Sequence, residues 1–310
     1  MTDSNDVEIL KQLRDLPELF SDLENCSGSE LAVQQRLRAK YDASLVRAAI
    51  SLQQARKKAA GRLPEAEHLW LTSVGLEQST AWQVASHKAT RIPGDQLVMD
   101  LFGGIGIDTA ALLQRGPVTS VDSDPAVTLC RKWNLEVWRA AGVVSENHAY
   151  DANVADVHDL PLNDCLIHID PDRRSGRDRP VKRLEQYCPN LEWMQRTVQN
   201  ARGGALKLGP ASNFMQKFPG CEIELISLHG ECREATVWFG ELAGEGDFRA
   251  TSLPSGETIA ADPLSAWSPQ ADHVQSFIFD PDPAVVRSGL IDVVAERHGL
   301  CRCPGYRSRR

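Results

Sequence analysis

Val98-Met99-Asp100-Leu101-Phe102-Gly103-Gly104-Ile105-Gly106-Ile107-Asp108 is the stretch on which the fold is decided. The apolar run Leu97 to Leu101 predicts a buried strand. The glycines predict a tight turn, and Ala110-Ala111-Leu112-Leu113 predicts a helix beyond it. A strand leading through such a turn into a helix belongs to a doubly wound parallel sheet, where ligands bind outside the carboxyl ends of the strands. Lacking Cβ atoms, Gly103, Gly104 and Gly106 let the backbone approach a ligand closely.

The same alternation continues downstream. Strands are predicted at Val118 to Val121, Val143 to Ala149, Leu166 to Ile169 and Ala205 to Leu208, with a helix from about Pro125 to Ala141. Ile223 to Leu228 and Ala235 to Phe239 are joined by too few residues for a crossover helix, so they are expected to pair antiparallel. Five strands closed by such a hairpin predict an α/β fold, the seven-stranded Rossmann-like methyltransferase sheet with an antiparallel last strand. Residues 1–92 read as a helical N-terminal domain, 93–243 as the sheet domain and 244–310 as an accessory C-terminal segment. Within that segment Gly, Pro and Ser mark loops as far as about Asp272. A strand-like Ser276 to Phe279 and a helix from Pro283 to Gly299 follow.

Bulk properties narrow the functional classes. The 310 residues are 42% apolar and 25% charged, an ordinary globular balance, and the net charge of −8 argues against wholesale coating of nucleic acid. No basic-then-apolar leader and no span of about 18 apolar residues is visible, which predicts a cytoplasmic protein with no membrane partner. The eight cysteines are scattered without a Cys-x-x-Cys pair, so no metal site is expected.

Three acids frame the ligand. A dinucleotide fingerprint needs Gly or Ala three residues after Gly106, and Thr109 stands there instead. Asp100 would repel a pyrophosphate but suits the ammonium of a methionine moiety. The expected cofactor is therefore S-adenosyl-L-methionine, lying against Phe102, Gly103, Gly104 and Gly106. Asp122, followed by Ser123, ends the next strand 16 residues after Gly106, where an acid grips a ribose diol, while Asp124 reads as a helix cap. Asp151, with Ala152 beside it, is expected to close strand three and to accept from an adenine amine.

The reaction site is expected at His168-Ile169-Asp170-Pro171-Asp172-Arg173-Arg174, after strand four. Asp170 and the backbone around Pro171 would align a target amine, and Asp172 would accept its proton. From Pro171 to Arg183 six cations, among them Arg173, Arg174, Arg177 and Arg179, face two acids, a net +4. Such a stretch on an acidic chain suggests an anionic substrate, with RNA the foremost. A methyltransferase of protein or small molecules, a non-catalytic module binding S-adenosylmethionine and, more distantly, a nicotinamide-dependent oxidoreductase are the alternatives.

Taken together, these motifs resemble class I S-adenosylmethionine-dependent methyltransferases. More narrowly they resemble the bacterial group with a THUMP-like C-terminal domain. The likeness rests on Leu76-Glu77-Gln78-Ser79-Thr80, the 100–108 loop, Asp170-Pro171-Asp172-Arg173-Arg174, Leu206-Lys207-Leu208-Gly209-Pro210, Glu231-Cys232-Arg233-Glu234 and Phe279-Asp280-Pro281-Asp282-Pro283. Through the core the chain is also similar to guanine-N2 RNA methyltransferases of the trimethylguanosine-synthase type, and Asn134 matches an Asn common in those enzymes. The resemblance implies guanine N2 as acceptor and a segment bearing Gln78 and Ser79 that covers the cofactor. Where amine-directed relatives carry a second proline and an aromatic ring, this chain has Asp172 and Arg173.

Overall fold

The structure, a computed structural model, describes residues 3–173 and 181–303. The backbone groups into two compact units, residues 1–160 and 161–310.

The first unit begins with helices α1 (Asp3–Arg14), α2 (Pro17–Glu24), α3 (Glu30–Arg38), α4 (Ala43–Ala59), α5 (Ser73–Gln78) and α6 (Trp82–Thr90). Their starts follow capping chemistry: Ser29, Asp42 and Thr72 each accept from a backbone N–H of the first turn. Strand β1 (Val98–Leu101), helix α7 (Ile107–Leu112), strand β2 (Val118–Asp122), helix α8 (Pro125–Ala140) and strand β3 (Tyr150–Val154) follow. The three strands are parallel in the order β3-β2-β1.

Two local readings change here. Ser79-Thr80 does not cap α6, whose cap position is Ala81 without a side-chain bond. The Thr80 hydroxyl instead donates to Asp108 Oδ2 at 2.5 Å. Strand three begins at Tyr150 and not at Val143. Gly142 (φ +71°) ends α8 in a left-handed turn, and the Val143 N–H returns to the Trp138 carbonyl at 2.8 Å. The apolar pair Val143-Val144 is thus the hydrophobic contact of a helix C-terminus, which looks like a strand in a linear reading.

The second unit holds β4 (Leu166–Ile169), α9 (Leu191–Asn200), β5 (Gly203–Leu208), β6 (Glu222–Leu228), β7 (Glu231–Gly240), β8 (Phe248–Leu253), β9 (Glu257–Ala261), α10 (Pro283–Ser288) and α11 (Ile291–Arg297). Its strand order is β4-β5-β7-β6-β8-β9. β4 and β5 are parallel, and β7 lies antiparallel to both β5 and β6, as the short junction requires. The described residues therefore form nine strands, not seven. The β8–β9 hairpin was expected as loop, and β8 adds to β6 in parallel. Its turn, Pro254-Ser255-Gly256, supplies the Pro, Ser and Gly that gave the segment its loop-like composition. Ser276 to Phe279 forms no strand, and Gly289 (φ +78°) splits the expected terminal helix in two.

Asp282 explains part of the tail motif. Its carboxylate caps α10 through the Ala284 N–H at 2.7 Å and accepts from Ser227 on β6 and Ser252 on β8, at 2.8 and 3.0 Å. Asp282→Ala removes the cap and both hydroxyl contacts, and is expected to cost about 2 kcal/mol in urea denaturation. A change below about 0.5 kcal/mol would show that the tail is not anchored there.

Candidate functional site

In the first unit the chain leaves β1 at Leu101 and enters a left-handed turn. Phe102 (φ +61°), Gly104 (φ +51°) and Gly106 (φ +97°) all take positive φ, and both the Phe102 and Gly103 N–H groups donate to the Val121 carbonyl of β2. The glycines serve different needs. A Cβ on Gly103 would lie 2.7 Å from Ser120 Oγ, and one on Gly106 would lie 2.8 Å from Arg131 Cγ. On Gly104 a Cβ would meet only the Phe102 carbonyl, at 3.9 Å. The turn is thus packed tightly from below and open beside Gly104, which is the cradle a closely approaching ligand needs.

Asp122, at the carboxyl end of β2, has both oxygens held: Oδ2 by the Gly104 N–H at 3.1 Å and Oδ1 by the Asp124 N–H at 3.0 Å. Burial pushes its carboxyl above the usual carboxylate range, while those backbone N–H groups and the nearby Arg131 pull it back. Each oxygen keeps a lone pair for a hydroxyl donor. Ser123 beside it is exposed, and Asp124 caps α8 through Ala126 and Val127. Asp100 is fully buried, with Oδ2 accepting from the Thr109 hydroxyl, so its charge acts from beneath the turn.

Asp151 is displaced from the place its expected role needs. It is the second residue of β3, in register with Thr119, whereas Asp122 is in register with Val154 at the other end of the strand. The edge that carries Asp122 is reached two residues beyond β3, at Asp156, and the Ala155 N–H bonds the Asp122 carbonyl at 3.2 Å. Asp151 is exposed and accepts from Asn153, while Ala152 is buried within the strand. Asp156 accepts from the His158 N–H and ring, which hold its carboxyl below the ordinary range. Sequence reasoning missed Asp156 because it placed the strand seven residues early; the Ala155-Asp156 step after Asn153-Val154 was the available signal.

The upstream helices are tied to this turn. Asn134 Oδ1 accepts from the Trp70 N–H at 2.6 Å, and its amide donates to the carbonyls of Trp70 and Ile105 at 3.1 and 2.9 Å. On α5, a Cβ at Gly75 would sit 2.7 Å from Ile105 Cγ2. Lys88 of α6 pairs with Asp108 of α7 at 2.9 Å, almost wholly buried. Gln78, at the end of α5, is half-buried.

In the second unit Asp170 follows β4 and is half-buried. Lys207 Nζ of β5 donates to its Oδ2 at 2.6 Å. Pro171 is buried, and Asp172 exchanges two backbone hydrogen bonds with Cys188 at 2.8 and 3.0 Å. Arg173 Nη1 lies beside Gly209, where a Cβ would come within 2.9 Å of it. Arg174, Arg177 and Arg179 lie outside the described residues. Lys207 is a cation in the middle of the apolar strand Ala205-Leu206-Lys207-Leu208, a signal legible in sequence once Asp170 is known to need a partner.

Among the described residues no group of His, Cys, Asp and Glu is arranged to hold a metal ion. No helix among them is long and apolar enough to cross a membrane.

No protein-family model matches the chain. An uncharacterised S-adenosylmethionine-dependent methyltransferase of Mycobacterium tuberculosis, found in two strains, is 35% identical over 265 residues, covering 79% of this chain and 68% of the relative. Among solved structures, a candidate methyltransferase from Porphyromonas gingivalis superposes with a TM-score of 0.72 at 19% identity, over 97% of this chain and 76% of that one, a shared fold. The open glycine turn and the restrained Asp122 fit a sulfonium nucleoside, and with the Mycobacterium relative they lead to one assignment: the chain belongs to the S-adenosylmethionine-dependent methyltransferases, with S-adenosyl-L-methionine as its cofactor.

Proposed function

We propose that the chain methylates a base of RNA, with guanine N2 as the acceptor. The observation that carries this reading is Asp170: a carboxylate at the end of β4, fixed by Lys207 at 2.6 Å and followed at once by the stretch of net charge +4. The bound cofactor supplies an electrophilic methyl group. Phe102, Gly103, Gly104 and Gly106 would hold it by backbone approach, Asp122 would take the ribose hydroxyls, and Ser123 and Gln78 would flank it. Asp100 contributes negative charge from below the turn. Asp156 takes the adenine-amine role first read for Asp151 and Ala152. Asp170 accepts a hydrogen bond from the target amine and so fixes the direction of its lone pair. Asp172 takes the proton that the amine loses, with Pro171 stiffening the approach. Arg173 would meet substrate phosphate or base as a planar cation, with Arg174, Arg177 and Arg179 extending that surface. In this reading residues 1–92 form a helical cover, 93–243 the catalytic domain and 244–310 a THUMP-like accessory segment.

The acids are separable by titration with S-adenosylhomocysteine. Asp156→Ala is expected to weaken binding about tenfold and Asp151→Ala to leave it within about twofold. The reverse order would restore the earlier assignment. Asp170→Asn should keep cofactor affinity and lower turnover about a hundredfold or more.

Comparing modified nucleosides from RNA of cells with and without the gene tests the substrate, followed by assay of the purified protein on the affected RNA. Loss of one methylated guanine, restored in vitro and weakened by Arg173→Ala, is the expected result. Identical nucleoside profiles, with Arg173→Ala fully active on a protein or small-molecule acceptor, would overturn it.

A further inference from the structure

Helix α8 carries a buried stripe, Thr128, Arg131, Leu135 and Trp138. The spacing is that of a core-facing helix, yet one of its members is an arginine with no exposed surface. A buried guanidinium is costly unless its donors and its charge are met. Nη1 donates to the Gly104 carbonyl at 2.8 Å, Nη2 donates to the Thr128 hydroxyl at 3.2 Å, and Nη1 lies 3.9 Å from Asp122 Oδ2. The stem of the same side chain lies directly under Gly106 and Gly103, where a Cβ would come within 2.8 and 3.3 Å of its carbons.

These contacts form a chain of consequence. The peptide groups on both sides of the Gly104 Cα are held, the preceding one by its N–H on Asp122 and the following one by its carbonyl on Arg131. Turning either peptide out of this left-handed turn breaks the bond that holds it. We propose that Arg131 is the positioning residue of the cofactor site: from beneath the glycine turn its guanidinium fixes the Gly104 carbonyl and supplies the counter-charge that lets Asp122 receive the ribose diol. The proposal rests on the ribose role assigned to Asp122.

The charged groups acting on Asp122 are Arg131 from α8 and Asp124 at the head of that helix, and Arg131 also faces Tyr150 of β3, which feels Asp100 of β1. Burial raises the Asp122 carboxyl and Arg131 opposes that rise. An acid with a raised folded-state value is protonated first as pH falls, so cofactor affinity should decline on the acid side of neutrality. Removing the counter-charge moves that decline to higher pH.

The experiment titrates full-length protein with S-adenosylhomocysteine by calorimetry across a pH series, for wild type, Arg131→Met, Arg131→Lys and Asp122→Asn. Arg131→Met is expected to bind about tenfold more weakly near neutral pH, with the midpoint of the acid-side decline displaced upward by about one pH unit. Arg131→Lys should bring the midpoint back towards wild type while binding stays weaker, because an ammonium restores the charge without the fork that spans Gly104 and Thr128. Asp122→Asn should bind weakly with no such decline. Wild-type affinity in Asp122→Asn would end the ribose reading itself. Weak binding in Asp122→Asn, with an unmoved midpoint in both Arg131 variants, would overturn the Arg131 proposal alone. Should Arg131→Met fail to fold, Arg131→Lys decides: affinity equal to wild type at every pH contradicts the proposal, and a loss with retained midpoint supports it.

Discussion

A Gly106→Val variant is expected to lose about 4 kcal/mol of folding stability and all measurable cofactor binding. Two costs add. Gly106 sits at φ +97°, where a β-branched residue is strained by about 1–3 kcal/mol. Its new Cβ would fall 2.8 Å from Arg131 Cγ, and that side chain is fully buried and bonded at both ends, so it cannot swing away. Overpacking of this kind costs about 1–3 kcal/mol. Gly104→Ala is the informative contrast. Its φ of +51° is strained too, but its Cβ meets open space, so about 1 kcal/mol is expected while binding still falls. Urea denaturation and calorimetric titration of both variants check the pair. Equal stability losses would show that the packing beneath Gly106 is not what sets the turn.

Asn134→Ala is expected to cost about 4 kcal/mol and to weaken cofactor binding at least tenfold. One fully buried side chain closes three backbone groups, the N–H and carbonyl of Trp70 and the carbonyl of Ile105. Truncation leaves each of them buried without that partner, at about 1–3 kcal/mol apiece before relaxation or water recovers some of the loss. Because Ile105 lies inside the glycine turn, the damage reaches the cofactor loop through its own backbone. Asn134→Asp is expected to be no better, since a carboxylate faces two carbonyls where the amide donated. A stability loss below about 1 kcal/mol in Asn134→Ala would remove the clamp from the account.

How much of this was visible in the linear chain varies with the kind of signal. The β1–turn–α7 unit was legible because glycine positions and an apolar run depend on short-range geometry. The antiparallel β6–β7 pair was legible because the six residues between the predicted strands exclude a crossover helix, and the observed junction is shorter still, His229-Gly230. Strand β3 was misplaced because Val143-Val144 serves a helix terminus and not a sheet, and that shift put Asp151 at a strand end that the observed register gives to Val154. The β8–β9 hairpin was missed because its turn residues dominate the local composition. Asn134 was noticed only through resemblance, since nothing local says that its amide meets Trp70 and Ile105, 64 and 29 residues away. Arg131, Lys88 and Lys207 were passed over for a related reason. A cation in a buried stripe or strand reads as ordinary surface charge until its partner is located in space.

Hydrogen exchange of the full chain with and without S-adenosylhomocysteine tests the central claim most directly, because it reports where the nucleoside sits without relying on a variant or on turnover. Slowed exchange is expected in peptides covering 100–108, 120–127 and 154–158, with little change at 149–152. Protection confined to other segments, or none at saturating ligand, would contradict a cofactor held by the Gly103–Gly106 turn and Asp122.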